Sequence, residues 1–292
     1  MSQIKFGWAA PVIGVADSGY VPIVKIQQAK ILPVVAGHFD SVWVFDHFYG
    51  FDPRTDPYLE CWTTLTWLAA RYPGLRVGTL VMGVGYRNPA LLAKMAATLQ
   101  TLSDGRLIFG IGAGWRGEEY EAYGYPFPKA SVRIQQLEEA LQIVRLMWTE
   151  TAPSFKGDYF EIKDAYCPPQ PTPPPPIMIG GAGEQLMLPL IARRADWWNT
   201  GFMDAETYRS KRDILHEHAE AIGRDPAEIV HTFMVEGRPL PTSSQDSARW
   251  LDELRPLVEL GVTYFMLDFG HVTSTEPIAR FAEEVIAPLQ AA

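Results

Sequence analysis

Cysteine is scarce in this 292-residue chain: Cys61 and Cys167 stand far apart, with no CxxC or HExxH pattern near either. That argues against a disulfide framework and against a structural zinc site, and leaves both as reduced thiols. No segment offers the ~18 or more uninterrupted apolar residues of a membrane span. The opening MSQIKFGWAAPVIG has no basic stretch leading into a long apolar one, so the expected location is the cytoplasm, with no membrane partner. Basic charge is also short, with 25 Lys and Arg against 34 Asp and Glu and a formal net charge of -9. A nucleic-acid partner calls for a basic patch, and none is expected here. There is no GxSxG elbow, no P-loop, and no cluster of carboxylates and histidines spaced for a metal.

What is present is ordinary in bulk, 47% hydrophobic and 20% charged, enough to bury a large core. Short apolar runs alternate with stretches of helical period, and no change in composition marks a linker. Strands are expected at 4–10, 41–45, 76–82, 107–111, 177–179, 197–200, 229–235 and 263–268. Helix starts are signalled by Asn88-Pro89, Asp204 and Ser244, and helix stops by Gly223 and Gly261. Eight β/α units in a chain of this length predict an α/β fold, a closed (β/α)8 TIM barrel formed by residues 1–292 as one domain. One stretch breaks the rhythm, TETAPSFKGDYFEIKDAYCPPQPTPPPPI before the fifth strand. It is too rich in proline for a helix. A small strand pair within 155–162 and a polyproline leg over 168–176 are expected, serving as a passive return, a lid or an oligomer contact.

Active sites of such barrels lie where the strands end. After the second strand, FDSVWVFDHF delivers Asp46 and His47, a carboxylate beside a group that exchanges protons near neutral pH; the pair is either a site or a loop cap. After the third strand, GTLVMGVGYRNP interleaves glycine with apolar residues, which admits a flat ligand or marks a bulge. Gly110-Ile111-Gly112-Ala113-Gly114-Trp115-Arg116 follows the fourth strand. It is a poor dinucleotide fingerprint, because Trp115 stands where glycine is wanted, but it makes a permissive floor for a ring, with Arg116, Glu118 and Glu119 as rim charge. Gly180-Gly181-Ala182-Gly183-Glu184 opens a helix after the fifth strand, an arrangement of backbone N–H groups suited to phosphate, or a plain turn. A glycine-lined, aromatic-rich, phosphate-accepting pocket suits an external redox cofactor better than hydrolysis.

These segments, with VGTLVMGVGYRNPALLAKMAATLQTLSDGRLIFGIGAGW, EEYEAYGYPFP, RIQQLEEALQIVRLMWTE and PPIMIGGAGE, together resemble the luciferase-like monooxygenase superfamily, and most closely its branch that uses the deazaflavin coenzyme F420. The resemblance runs from Ile4 to about Asn199 and weakens beyond. It implies a bacterial-luciferase-like barrel with a proline-rich insertion before strand five, a homodimer, and a cofactor ring held at the strand ends. It assigns Asp46 to cofactor contact and His47 to the hydride-transfer centre. A non-proline cis peptide buttressing the ring is implied at or near Leu80-Val81. Gly112, Gly114, Gly180, Gly181, Gly183 and Glu184 are implied to line the cofactor's side chain and phosphate. One departure matters: sugar-phosphate dehydrogenases of the branch carry an acid just after the fourth strand's glycines, where this chain has Trp115. That argues against sugar-phosphate oxidation and leaves His47 as the proton donor. The expected activity is hydride transfer between F420 and a small organic substrate, probed against two alternatives, a reduced-FMN monooxygenase and a cofactor-binding protein without turnover. Substrate selectivity is expected in the loops at 49–58 and 270–275.

Overall fold

The computed structural model describes residues 3–13, 23–50 and 56–291. Eight parallel strands close on themselves: β1 (Lys5–Ala9), β2 (Ser41–Val44), β3 (Arg76–Thr79), β5 (Leu107–Gly112), β8 (Ile177–Gly180), β9 (Trp197–Gly201), β10 (Val230–Glu236) and β11 (Tyr264–Asp268). Each pairs with the next in that order, and β11 pairs back onto β1. Each of the eight predicted strands is one of these, within two residues at most ends. The third is shorter than expected, because the chain leaves it at Leu80 and returns as β4 (Met82–Gly83) against the end of β5. The peptide between Leu80 and Val81 is cis.

The outer layer is built from α1 (Ile23–Gln27), α2 (Ile31–His38), α3 (Cys61–Arg71), α4 (Pro89–Leu102), α5 (Gly117–Ala122), α6 (Ala130–Thr149), α7 (Met187–Arg194), α8 (Ala205–Ala221), α9 (Ser244–Glu259), α10 (Glu276–Phe281) and α11 (Ala287–Ala291). Their starts follow from capping chemistry. Asn88 accepts from the N–H groups of Ala90 and Leu91 with Pro89 at the first helical position, and Asp204 accepts from Thr207 N–H. α9 starts one residue from expectation: Ser243 is its N-cap, in a reciprocal capping box with Asp246. Gly223 and Gly261 follow α8 and α9 with φ of 73° and 95°, the left-handed region that glycine enters without steric cost.

Inside the barrel, alternation along the strands sorts side chains into two sets. Trp43, Ile108, Met178, Trp197, Met234, Tyr264 and Met266 fill the interior, while Val42, Val44, Phe109, Val235 and Leu267 face the helices. The interior tolerates two indoles because neighbouring strands give up their side chains. A Cβ on Gly7 or Gly78 would lie 2.1 or 2.2 Å from atoms of the Trp43 ring. Each buried Leu, Ile or Met contributes roughly 1.5–3 kcal/mol, so this packed layer both stabilises the barrel and forms a solid floor beneath its C-terminal rim.

The proline-rich stretch contains the expected hairpin, β6 (Phe155–Lys156) with β7 (Glu161–Ile162). Glu139 of α6 accepts from the N–H groups of Asp158, Tyr159 and Phe160 and pins that hairpin. The following leg is not one uninterrupted polyproline helix, since Pro168-Pro169 and Thr172-Pro173 are cis; Lys94 and Gln100 of α4 donate to the carbonyls of Pro168 and Pro173. Among the described residues no helix is long and apolar enough to cross a membrane.

Candidate active site

The C-terminal ends of the barrel strands surround a cavity of about 820 Å³, within the size of cofactor sites, roughly 300–1,000 Å³. Asp46, His47, Leu80, Val81, Gly112, Gly114, Gly180 and Gly181 all line it. Gly183 and Glu184 do not; Glu184 instead pairs with Lys211 at 2.6 Å. No residue of the proline-rich stretch lines it either, so that stretch is no lid over the cavity.

Asp46 and His47 are neighbours with opposite duties. His47 continues the phase of Trp43 and Phe45, the residues on the barrel's interior side, and so reaches the cavity. Asp46 continues the phase of Val44, and its carboxylate, almost wholly buried, accepts two bonds from the Arg87 guanidinium at 2.8 and 2.9 Å and one from Gly83 N–H at 3.0 Å. Asp46 therefore ties down the segment just after Leu80-Val81. Arg87 also reaches Glu60, the N-cap of α3, which links that helix to the segment after Leu80-Val81.

His47 is held by a residue that sequence reasoning placed only at the rim. Glu119, in α5, is fully buried, and its Oε2 lies 2.8 Å from His47 Nδ1. The same oxygen accepts from the Tyr86 hydroxyl, and Oε1 accepts from Phe48 N–H at 2.9 Å and from Arg116. Burial pushes this carboxyl up, but the hydrogen bonds from His47 and Phe48, the charge of His47 and the Tyr86 hydroxyl outweigh it and hold the group below the ordinary carboxylate range. Glu119 is thus an anion, and it fixes the imidazole with Nδ1 occupied. Nε2, which has no partner among the described residues, is left to act on a ligand. Two rings flank the imidazole edge to face, Tyr58 at 6.0 Å and Trp115 at 5.5 Å between centroids. Trp115 itself is 69% exposed, a position at the cavity mouth.

α5 keeps its place through aromatic contacts: Phe48 stacks on Tyr123 at 4.2 Å, and Tyr120 meets Tyr86 at 4.3 Å and Phe127 at 4.8 Å with tilted rings. Arg116, also expected at the rim, is buried instead, donating to the carbonyls of Tyr49 and Gly50 and lying over the Tyr49 ring. Opposite, the ends of β5 and β8 are bare of side chains. A Cβ on Gly112 or Gly180 would come 2.9 or 2.8 Å from Val81 Cγ2, so these glycines let Val81 and both strand ends meet in one low wall. The glycine turn after β8 differs from expectation. Gly181 N–H is used by Asn199 O at 3.0 Å, and α7 begins only at Met187, so the helix does not open directly on the glycines.

Residues 36–276 match the family model described as luciferase-like monooxygenase. The chain belongs to that family. It is 30% identical over 256 residues to an F420-dependent glucose-6-phosphate dehydrogenase of Amycolatopsis mediterranei (strain U-32), covering 84% of this chain and 73% of that one. It is 34% identical over 256 residues to a phthiodiolone/phenolphthiodiolone dimycocerosates ketoreductase of Mycobacterium sp. (strain JLS), covering 77% and 66%. Among solved structures it is similar to an F420-dependent secondary alcohol dehydrogenase in complex with an F420-acetone adduct, with a TM-score of 0.82 and 19% identity over 99% of both chains. It is also similar to the monooxygenase RslO1 from Streptomyces bottropensis, with a TM-score of 0.75 and 19% identity, over 98% of this chain and 99% of that one. At such identities the structural likeness speaks for the luciferase-like (β/α)8 fold.

Proposed function

We propose that this protein is an oxidoreductase that transfers a hydride between coenzyme F420 and a small organic substrate, reducing an electron-poor acceptor. The observation that carries this reading is the meeting, in one cavity, of a low wall made by Gly112, Gly180 and the Val81 side chain with an imidazole fixed by a buried carboxylate. A flat ring system fits such a wall, and the F420-dependent relatives support the same cofactor. Leu80, Val81, Gly112, Gly114, Gly180 and Gly181 hold the ring and its side chain, while Gly183 and Glu184, outside the cavity lining, face its phosphate end. Asp46 supports the cofactor by fixing the segment after Val81 through Gly83 N–H.

F420, when bound, supplies the hydride, and its ring lacks the nitrogen that lets flavin react readily with oxygen. The chain's own task is the proton. With Nδ1 held by Glu119, His47 carries the mobile proton on Nε2 and delivers it to the substrate as the acceptor is reduced; the Glu119 carboxylate stabilises the imidazolium that precedes this step. Tyr58 and Trp115 keep the imidazole from rotating and narrow the access of water. The same reading takes residues 1–292 as one domain and the protein as a cytoplasmic homodimer without nucleic-acid partners.

Strictly anaerobic mixing with reduced F420 and a panel of ketones, imines and conjugated alkenes tests the activity. Recovery of oxidised F420 fluorescence is expected with at least one acceptor class in the absence of oxygen. Turnover that requires reduced FMN and oxygen would instead make the protein a monooxygenase on the same barrel, and tight binding without turnover would leave it a cofactor-binding protein.

A further inference from the structure

β10 and β11 end in Glu236 and Asp268, which are register partners across the strand pair. Alternation puts them on the same side as Met234 and Met266, two members of the barrel's interior layer. Both carboxyls line the cavity directly above that layer. β9 separates them from β8 and its glycines, so they lie apart from the bare wall described above. Asp268 accepts one hydrogen bond, from Gly270 N–H at 2.8 Å; the Glu236 carboxyl has no bonded partner, and neither forms an ion pair among the described residues.

The charge around them is one-sided. Arg116 is the single Lys or Arg among the described residues lining the cavity, and its guanidinium is occupied by Tyr49 O, Gly50 O, Glu118 and Glu119. Desolvation pushes the Asp268 carboxyl up; desolvation and then the Asp268 charge push Glu236 up, against the opposing pull of His47. An exposed Glu236 and a half-buried Asp268 on one side of the cavity, with His47 and Arg116 the basic side chains among the described residues lining it, make an incoming anion unfavourable beside the pair. A cation placed there compensates both of them.

We propose that Glu236 and Asp268 are the specificity residues of this cavity, selecting a substrate whose apolar body carries a positively charged nitrogen and rejecting phosphorylated or carboxylated substrates. The proposal rests on the cavity being the substrate site of an F420-dependent oxidoreductase. It also gives this chain a substrate class opposite in charge to that of its glucose-6-phosphate dehydrogenase relatives, in keeping with Trp115 standing where an acid is found in that branch.

Calorimetric titration with two probes of matched size, benzyltrimethylammonium and benzenesulfonate, with and without F420, tests it. The ammonium is expected to bind at least about tenfold more tightly than the sulfonate, and Glu236→Gln with Asp268→Asn is expected to bring the ratio close to one. If the double variant does not fold, Glu236→Gln alone, at a side chain without a partner, must lower the ratio. Equal or tighter binding of the sulfonate, or a preference unchanged in the variants, overturns the proposal. The F420 titration in the same samples separates the two readings. F420 bound without an ammonium preference sinks the specificity assignment alone, whereas an ammonium preference in a protein that does not bind F420 upholds the acidic pair and removes the cofactor.

Discussion

An imidazole with one nitrogen tied to a buried carboxylate can work through the other nitrogen only, and that restriction is what makes His47 useful. The Nδ1–Oε2 contact of 2.8 Å selects both the tautomer and the ring orientation. His47→Asn, which keeps a group able to bond Glu119 but carries no mobile proton, is expected to lower turnover by about 10²–10⁴-fold while F420 affinity changes little; steady-state rates beside a binding titration check it. Glu119 leaves a second signature, in stability. Its folded-state carboxyl titrates below the ordinary 4.5, so the unfolded chain takes up the proton first as the solution is acidified. The stabilisation is complete above about pH 4.5 and fades as pH falls through the folded value. Denaturant midpoints measured from neutral to acid pH should therefore decline less steeply below 4.5 in Glu119→Gln than in the parent. The loss of that carboxylate is also expected to lower turnover, because the imidazolium loses its counter-charge.

At the scale of elements, short sequence signals carry much of the construction. Asn88 closes the first turn of α4 by accepting from Ala90 and Leu91 at 2.9 and 3.3 Å. Asn88→Ala is expected to cost about 1 kcal/mol with no effect on cofactor affinity, read from urea denaturation. The ends of β5 and β8 behave differently. Gly180→Ala introduces a methyl 2.8 Å from Val81 Cγ2, so Val81 has to move into the cavity. A loss of stability of about 1–3 kcal/mol is expected, together with weaker F420 binding; a variant that bound F420 as the parent does would remove Gly180 from the cofactor site. Besides lining the cavity, Asp46 acts between elements, since it joins β2, the segment after Val81 and Arg87.

Across the whole molecule, the barrel was legible because short apolar runs separated by stretches of helical period repeat eight times, and each strand needs only its local pattern to be recognised. The cavity was partly legible for the same reason, since strand ends in a parallel barrel share one rim. The division of labour between Asp46 and His47 was available in the alternation of Trp43, Phe45 and His47, one phase apart from Val44 and Asp46. What could not be read was the pairing of His47 with Glu119, 72 residues further along. Nothing local distinguishes Glu119 from Glu118, whose side chain is 65% exposed and pairs with Arg116; only the packing of α5 against the loop after β2 does. The convergence of Glu236 and Asp268 on the cavity is likewise a product of strand register. Of the loop at 49–58, residues 51–55 lie outside the described part, so its expected share in selectivity belongs with the substrate experiments.

The most direct test of the account is a side-by-side equilibrium titration of the purified protein with F420 and with FMN, following ligand fluorescence and the quenching of the tryptophans, of which Trp115 stands at the cavity mouth. The account predicts saturable binding of F420 with FMN bound at least about tenfold more weakly, a difference of about 1.4 kcal/mol, and a weakened F420 curve in Gly180→Ala. A preference for FMN, or no binding of either compound, would contradict it.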